Sequence, residues 1–181
     1  MRLIWILFGS MCLSACENQL ADVNVIASKE AVLPIETSKN VELIYSDSAI
    51  VKAKMKAPIL KQVKVENSYY EMPKGVYVEF YKSGTTQIES TLKADYGVRY
   101  ESKNLVEVRK NVIVVNSIGE KLETEKLTWN ERTGKIYTDQ FVKITRKREV
   151  LYGEGLEASQ KFNSYKILKL KGTINLKESN K

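Results

Sequence analysis

Residues 76–81 read Val-Tyr-Val-Glu-Phe-Tyr, and this short run decides the fold class. Val76, Val78 and Phe80 share one side of an extended strand, and the residues between them share the other, because side chains alternate across a β-strand. Ser83-Gly84 then turns the chain. Such alternation is typical of a strand with one face in a core, and it predicts antiparallel β-structure around it.

The alternation continues on both sides of this run. Upstream, residues 49–55 and 59–65 alternate on either side of Pro58, which we expect to interrupt the strand. Downstream, turns rich in Gly, Asn and Ser separate further runs at 88–95, 98–100, 106–108, 112–116, 122–129, 136–139, 142–146, 151–158, 162–168 and 173–176. Short strands at spacings of roughly ten residues predict an all-β sandwich, barrel or jelly roll, built as an array of hairpins rather than a compact Greek key.

The first residues follow a different pattern. Residues 3–13 form an apolar stretch that follows Arg2 and is too short to cross a bilayer as a helix. Leu13-Ser-Ala-Cys16 comes next and resembles the lipobox of bacterial lipoproteins. We therefore expect residues 1–15 to be a cleaved signal peptide and Cys16 to carry a lipid anchor. Cys12 would leave with the peptide, so no disulfide is expected.

These features divide the chain into four parts. The lipidated tether is expected over residues 16–40, which are polar and have no sustained period. The β-domain is expected over 41–176, with a polar tail at 177–181. The domain would be exported and held beside a membrane, facing the periplasm.

The charge pattern indicates a solvated surface. The chain has 181 residues and a formal charge of +7, with basic and acidic residues interspersed, so we expect no nucleic-acid partner. One run is denser, with Lys143, Arg146, Lys147 and Arg148 close together. It is either an exposed hairpin tip or a contact for anionic lipid head groups or phosphates.

The residue types needed for catalysis are missing. The chain has no histidine, and no free thiol would survive processing, so a triad base, a cysteine nucleophile and the usual zinc ligands are absent. The acids fall mostly on the polar sides of strands. Gly153-Glu-Gly155 is a lone G-x-G in a strand pattern, which favours a bulge over a phosphate-binding loop. We predict a binding or scaffold protein that is not an enzyme and needs no cofactor or metal.

Several stretches in order resemble the LptC family, the membrane-anchored periplasmic component of lipopolysaccharide export. They include Pro73-Lys-Gly-Val-Tyr-Val-Glu-Phe-Tyr81, Glu89-Ser-Thr-Leu-Lys-Ala-Asp95 and Ile136-Tyr-Thr-Asp139. The others are 41–48, 55–58, Gly97 with Tyr100, 111–116, 119–120, 122–124, 127–129 and 153–156. The likeness covers roughly residues 35 to 176.

The resemblance implies an open, twisted β-jelly roll of antiparallel strands of the OstA/LptC-like kind. An apolar groove between two sheets would take the acyl chains of lipid A, with sugars and phosphates outside. One end would dock on the permease subunits LptF and LptG, and the other would pass lipid to the bridge protein LptA through strand-edge pairing. Family members commonly keep an uncleaved membrane helix, whereas Cys16 predicts a lipid in its place. The family implies the inner membrane.

Candidate site residues follow from the faces and from the resemblance. The expected groove-lining residues are Phe80, Ile88, Leu92, Tyr100, Val114, Leu122, Ile144 and Leu156. The alternative for each of them is an ordinary place in the sandwich core. Gly153 and Gly155 match a family glycine pair and either support a partner interface or meet a local backbone need. The alternative function is a non-catalytic envelope scaffold that pairs partners through its sheet edges without holding lipid.

Overall fold

The computed structural model describes residues 34–160, 162 and 164–176. Those residues form β1 (Ile35–Asp47), β2 (Ile50–Val63), β3 (Tyr69–Met72), β4 (Val76–Tyr81), β5 (Ile88–Ala94), β6 (Tyr96–Tyr100), β7 (Leu105–Asn116), β8 (Lys121–Asn130), β9 (Lys135–Thr145), β10 (Glu149–Ser159) and β11 (Tyr165–Asn175). They join in one antiparallel sheet, and the predicted all-β jelly roll is confirmed. The predicted signal peptide, Cys16 and the tail at 177–181 lie outside the described residues. Within the described ranges, no helix has the length and apolarity needed to cross a membrane.

The sheet is a meander of long strands. β3 and β4 behave as one strand interrupted at residues 73–75, and β5 and β6 as one interrupted at Asp95, because β2 pairs with both β3 and β4 while β7 pairs with both β5 and β6. Counted this way, the strands neighbour one another in chain order from β1 to β11. The arrangement is the array of hairpins that the turn spacing predicts.

Each long strand is broken or bent near its middle. In β7 the register with β8 shifts between Arg109 and Val112, where Lys110 and Asn111 have φ angles of 64° and 50°. The β8–β9 register shifts between Thr124 and Thr128. The β9–β10 register shifts beside Gly155, which has a φ of 71°. Extra residues in one strand bend it sharply, so the sheet folds over itself.

We call the line along which the sheet folds the spine. It comprises Asn40, Pro58, residues 73–75, Asp95, Lys110, Asn111, residues 125–126, residues 139–140 and Gly155. On one side lies a first layer, with β4, β5 and the segments of the long strands paired with them. On the other lies a second layer, with β3, β6 and the remaining segments. The ends of the hairpins form two rims opposite the spine.

The core lies between the two layers. Val78, Leu92, Val114, Leu122 and Ile144 face inward from the first layer, and four of these five are fully buried. Facing residues of the second layer include the buried Met72, Val108, Leu127, Ile136 and Leu156. Full burial of one such side chain contributes about 1.5–3 kcal/mol, so this double row carries much of the domain's stability.

Polar groups at the spine replace the ladder hydrogen bonds that the bends remove. The Asp95 amide donates to the Lys110 carbonyl at 3.0 Å, and Asn111 Nδ2 donates to Asp95 Oδ2 at 2.6 Å. Thr124 Oγ1 donates to the Phe141 carbonyl at 2.8 Å. Backbone groups left unpaired in a protein interior destabilise it, so these contacts make the fold line possible.

Several boundaries differ from the predicted ones. The runs at 106–108 and 112–116 are one bent strand, as are those at 136–139 and 142–146, because a bulge breaks the alternation without ending the strand. The runs at 162–168 and 173–176 are likewise one strand, β11, which begins at Tyr165. Pro58 does not interrupt β2. It lies opposite Asn40, at a position where β1 and β2 are not paired, so the sheet needs no backbone N–H from residue 58. β1 begins at Ile35, so residues 35–40, expected in the tether, are paired with β2 instead.

Candidate lipid-binding groove

A cavity of about 360 Å³ lies between the layers in the half of the domain that contains β1 to β6. Inward-facing residues of both layers line it, together with three residues of β1. They are Leu43, Ile44, Tyr45, Ala53, Met55, Leu60, Tyr70, Met72, Val76, Val78, Phe80, Leu92, Arg99, Val106, Val108, Leu127, Trp129, Glu131 and Ile136. Protein interiors are close-packed and rarely hold a void of this size, so we treat the cavity as a groove rather than a packing defect.

Aromatic rings of both layers meet across the groove. The Phe80 ring lies 6.2 Å from the Trp129 ring, and the Tyr45 ring lies 5.7 Å from it, both nearly edge-to-face. Tyr45 lies in β1, Phe80 lies in β4, and Trp129 lies in β8. Edge-to-face pairs of this kind are favourable, and here they set the distance between the layers.

One ion pair interrupts the apolar lining. Arg99 Nε and Nη2 donate to the two carboxylate oxygens of Glu131 at 2.9 and 3.0 Å. The Glu131 side chain is only 10% exposed and that of Arg99 is 38% exposed. The Glu131 carboxylate raises the pKa of the Arg99 guanidinium above its ordinary value, chiefly through this hydrogen bond. The two charges therefore stabilise one another at the edge of an apolar space.

The groove is closed in the half that contains β9 to β11. Arg146, at the end of β9, donates through Nε to the Tyr165 hydroxyl at 2.7 Å and so joins the two rims. Phe162, which is buried, fills the space beneath. Phe162 and Tyr165, together with Glu120 and other residues, line a cavity of only about 20 Å³. A ligand therefore has room only in the first half of the groove.

The eight residues predicted to line the groove fall into three groups. Phe80 and Leu92 line the large cavity. The residues that line the small cavity are Val114, Leu122, Ile144 and Leu156. Ile88 is 41% exposed at the start of β5, and it lines neither cavity.

The eighth residue, Tyr100, also lines neither cavity, and the spine explains its place. In β5 the even-numbered Leu92 and Ala94 face inward, but after the break at Asp95 the inward residues of β6 are Gly97 and Arg99. A one-residue change of phase turns every following side chain to the other face. Tyr100 therefore lies beside Tyr69 on the opposite face, with ring centroids 6.3 Å apart.

None of the lining that β1, β3 and β6 contribute was predicted from the sequence. This lining includes Tyr45, Tyr70 and Arg99. The run at 109–111, where three polar residues separate Val108 from Val112, is a signal that could have revealed the spine. The spine in turn would have given the correct phase for the second layer.

Gly153 and Gly155 lie in β10 against the last strand. A Cβ atom at Gly153 would lie 2.3 Å from Ile167 Cγ2 and 2.7 Å from the Lys169 carbonyl oxygen. A Cβ atom at Gly155 would lie 3.0 Å from Leu168 Cδ1, and the φ of this residue is +71°. The glycine pair thus gives β11 its close approach. Within the residues that the structure describes, β11 forms one free edge of the sheet and β1 forms the other.

The dense basic run lies at the turn between β9 and β10, and the domain itself uses part of it. Arg146 Nη1 contacts Glu149 at 2.8 Å, and Lys143 contacts Glu123 at 3.3 Å. These contacts agree with the hairpin-tip interpretation. Within the part of the chain that the structure describes, no group of three or more metal-binding side chains comes together.

Comparison with known families identifies the chain. The family described as lipopolysaccharide-assembly, LptC-related, matches residues 3–175. No curated protein matches the chain. Proteins of this family serve lipopolysaccharide transport as components associated with the periplasm and the inner membrane. With the match extending over nearly the whole sequence and the jelly roll in place, the chain belongs to the LptC-related family of lipopolysaccharide-assembly proteins.

Proposed function

We propose that this protein binds the acyl chains of lipid A in the groove and relays lipopolysaccharide from an ABC transporter to a periplasmic bridge protein. It performs no chemistry itself. The observation that carries the proposal is the apolar cavity of about 360 Å³, which is lined by both layers. A volume of this order falls within the range of ligand sites, and an apolar lining suits hydrocarbon chains rather than sugars.

Both free edges of the sheet support the relay geometry. Among the described strands, β1 pairs only with β2, and β11 pairs only with β10, so each leaves one row of backbone groups for another strand. We propose that one edge pairs with the permease subunits LptF and LptG, and the other with the bridge protein LptA. Strand addition of this kind would make the groove continuous with similar folds.

A lipid at Cys16 would hold the domain at the inner membrane. Residue 16 lies outside the described residues, so this part of the proposal rests on the Leu13-Ser-Ala-Cys16 motif. Two or more acyl chains give stable membrane attachment, whereas a single chain gives only marginal binding. An alkyne-tagged fatty acid supplied to growing cells should therefore label the protein, and Cys16→Ser should not take up the label. Absence of label on the unaltered protein, or equal labelling of Cys16→Ser, would contradict the lipid anchor while leaving the groove untouched.

Site-specific photocrosslinking in cells tests the relay. A photoreactive amino acid at Leu92, which faces the groove, should form an adduct with lipopolysaccharide. The matched control is Lys93, the next residue in β5, which is exposed on the other face. Equal labelling at the two positions, or no labelling at Leu92, would contradict acyl-chain binding in the groove.

The exposed apolar residues of β11 favour the second candidate, an envelope scaffold that holds partners without carrying lipid. Leu168, Leu170 and Ile174 lie on this edge strand and are 49%, 58% and 53% exposed. Filling the groove separates the two functions. Val78→Phe should stop lipopolysaccharide export in the relay but leave a scaffold active, and Thr91→Phe on the outer face of the same hairpin is the control.

A further inference from the structure

Arg99 is the cation in the lining of the groove, and its position is unusual for a charged residue. It lies on the inner face of β6, between Tyr70 of β3 and Val106 of β7 in the sheet register. The same row continues through Trp129 and Ile136. Its neighbours on either side are thus apolar or aromatic, and charged groups are rarely placed in such rows unless they are paired.

The row that contains Arg99 lies near the rim. β3 begins at Tyr69 and β6 ends at Tyr100, so Tyr70 and Arg99 are each one residue from the end of a strand. A hydrocarbon chain in the groove would lie against the apolar rows closer to the spine. Its polar head would then reach the level of Arg99.

The Glu131 carboxylate binds the Arg99 guanidinium as an anionic ligand would. A carboxylate held by two parallel N–H···O contacts matches the fork of arginine, and a phosphate group can use the same fork. Nearby, the Trp129 Nε1–H is buried and makes no hydrogen bond within the described residues. It is a second donor in the lining, and a headgroup oxygen would satisfy it.

From this arrangement we infer that Arg99 is the headgroup contact of the groove, which binds the phosphate of an acyl amphiphile after Glu131 releases it. The inference rests on the proposed function, because it places the acyl chain in the groove. It adds a specific anion site to an otherwise apolar surface. Glu131 keeps the guanidinium paired while the groove holds no amphiphile.

Calorimetric titration of the full chain with two single-chain amphiphiles tests the inference. Dodecyl phosphate carries an anionic head and dodecyl maltoside a neutral one, and both are used below their micelle concentrations. We expect the full chain to bind dodecyl phosphate about tenfold more tightly, as a charge-assisted bidentate contact implies. Arg99→Gln should remove this preference, so that the variant binds the two amphiphiles with similar affinity. Glu131→Gln should increase the preference, because the carboxylate that holds both Nε and Nη2 is gone and only the longer contact of Nη1 with Glu101, at 3.9 Å, remains.

Two further variants keep the test decisive. Arg109 also pairs with a glutamate, Glu107, but lies outside the groove lining, so Arg109→Gln should leave the preference intact. If Arg99→Gln alone does not fold, because Glu131 is left buried without its partner, the double variant Arg99→Gln with Glu131→Gln removes both charges and gives the same comparison.

The outcomes separate this inference from the groove itself. A preference for dodecyl phosphate that survives in Arg99→Gln, or one that Glu131→Gln weakens, would overturn the headgroup contact. Failure of both amphiphiles to bind the unaltered chain would overturn the proposed function and the inference with it. Inorganic phosphate alone should bind weakly, and tight binding of it would indicate a free-anion site instead.

Discussion

The ring of Tyr45 meets the ring of Trp129 edge-on, with centroids 5.7 Å apart and planes at 88°. Tyr45 belongs to β1, which pairs with β2 alone among the strands described, and Trp129 belongs to β8 in the facing layer. The contact therefore ties the free edge strand to the opposite wall of the groove. It makes β1 part of the ligand site as well as an edge for partners.

Loss of this contact should loosen β1 locally. In Tyr45→Ala we expect the amides of residues 43–47 to exchange faster with solvent, because an aromatic pair contributes about 0.5–1.5 kcal/mol beyond its buried area. Hydrogen exchange followed by mass spectrometry measures this. Exchange in β8 and β9 should not change, and Tyr137→Ala, at an exposed position outside the groove, is the control. Unchanged hydrogen exchange in β1 would show that the Tyr45–Trp129 contact does not hold this strand.

The close approach of β11 to β10 should depend on Gly153. Gly153→Ala places a methyl group 2.3 Å from Ile167 Cγ2 and 2.7 Å from a backbone oxygen, so we expect the free energy of unfolding to fall by about 1–3 kcal/mol or more. Gly172→Ala is the matched control in the partner strand, where nothing lies within 4 Å of the added Cβ. Urea unfolding measures both variants. Equal stability of the two would contradict the steric role of Gly153.

The spine should be sensitive to loss of the Thr124 hydroxyl. Thr124→Val keeps the shape but leaves the Phe141 carbonyl without its donor, so we expect a loss of about 1–3 kcal/mol in the free energy of unfolding. Thr173→Val, on exposed β11, should change stability by less than about 0.5 kcal/mol. Thermal and urea unfolding serve as the measurement, and a neutral Thr124→Val would show that the bend does not need this bond.

Stability at alkaline pH should depend on Tyr96. Burial, and then a hydrogen bond from its hydroxyl to Glu71 Oε1 at 3.0 Å, raise the pKa of Tyr96 to about 12. The pKa of Tyr96 in the folded state thus lies above its unfolded value of about 10. Its contribution to the free energy of unfolding is therefore fully present below pH 10 and is lost as pH rises toward 12.

A comparison with Tyr96→Phe isolates this contribution. Over that pH window, the original chain should lose more of its unfolding free energy than Tyr96→Phe, which has no phenol to ionise. Urea unfolding at several pH values provides the measurement. Parallel loss in both proteins would mean that Tyr96 ionises alike in the folded and unfolded states.

The alternation around residues 76–81 was enough to predict the fold class and the order of the hairpins. The turns at 83–84, 116–119 and 130–134 were also found where Gly and Asn favour them. These features depend on local backbone preferences and on the two-residue period, both of which are readable in a single chain.

The groove was less predictable, because its lining depends on which residues face inward after the spine. The bend at Asp95 changes the phase of β6, so Tyr100 faces out and Arg99 faces in. The closure by Phe162 and Tyr165 depends on contacts between rims that are distant in sequence. The polar run before Val112 signals the bend, but no local pattern signals the contacts between the rims.

Because the sheet folds along the spine, the depth and the length of the groove are set independently of one another. Its depth is set by the few residues that each strand places between the fold line and the rim, at about 3.3 Å per residue. Its length is set by how many strands stand side by side, at about 4.8 Å per strand. Duplication of one hairpin would therefore extend the groove without altering its cross-section, so reach along the envelope and fit to the acyl chain can vary separately in this architecture.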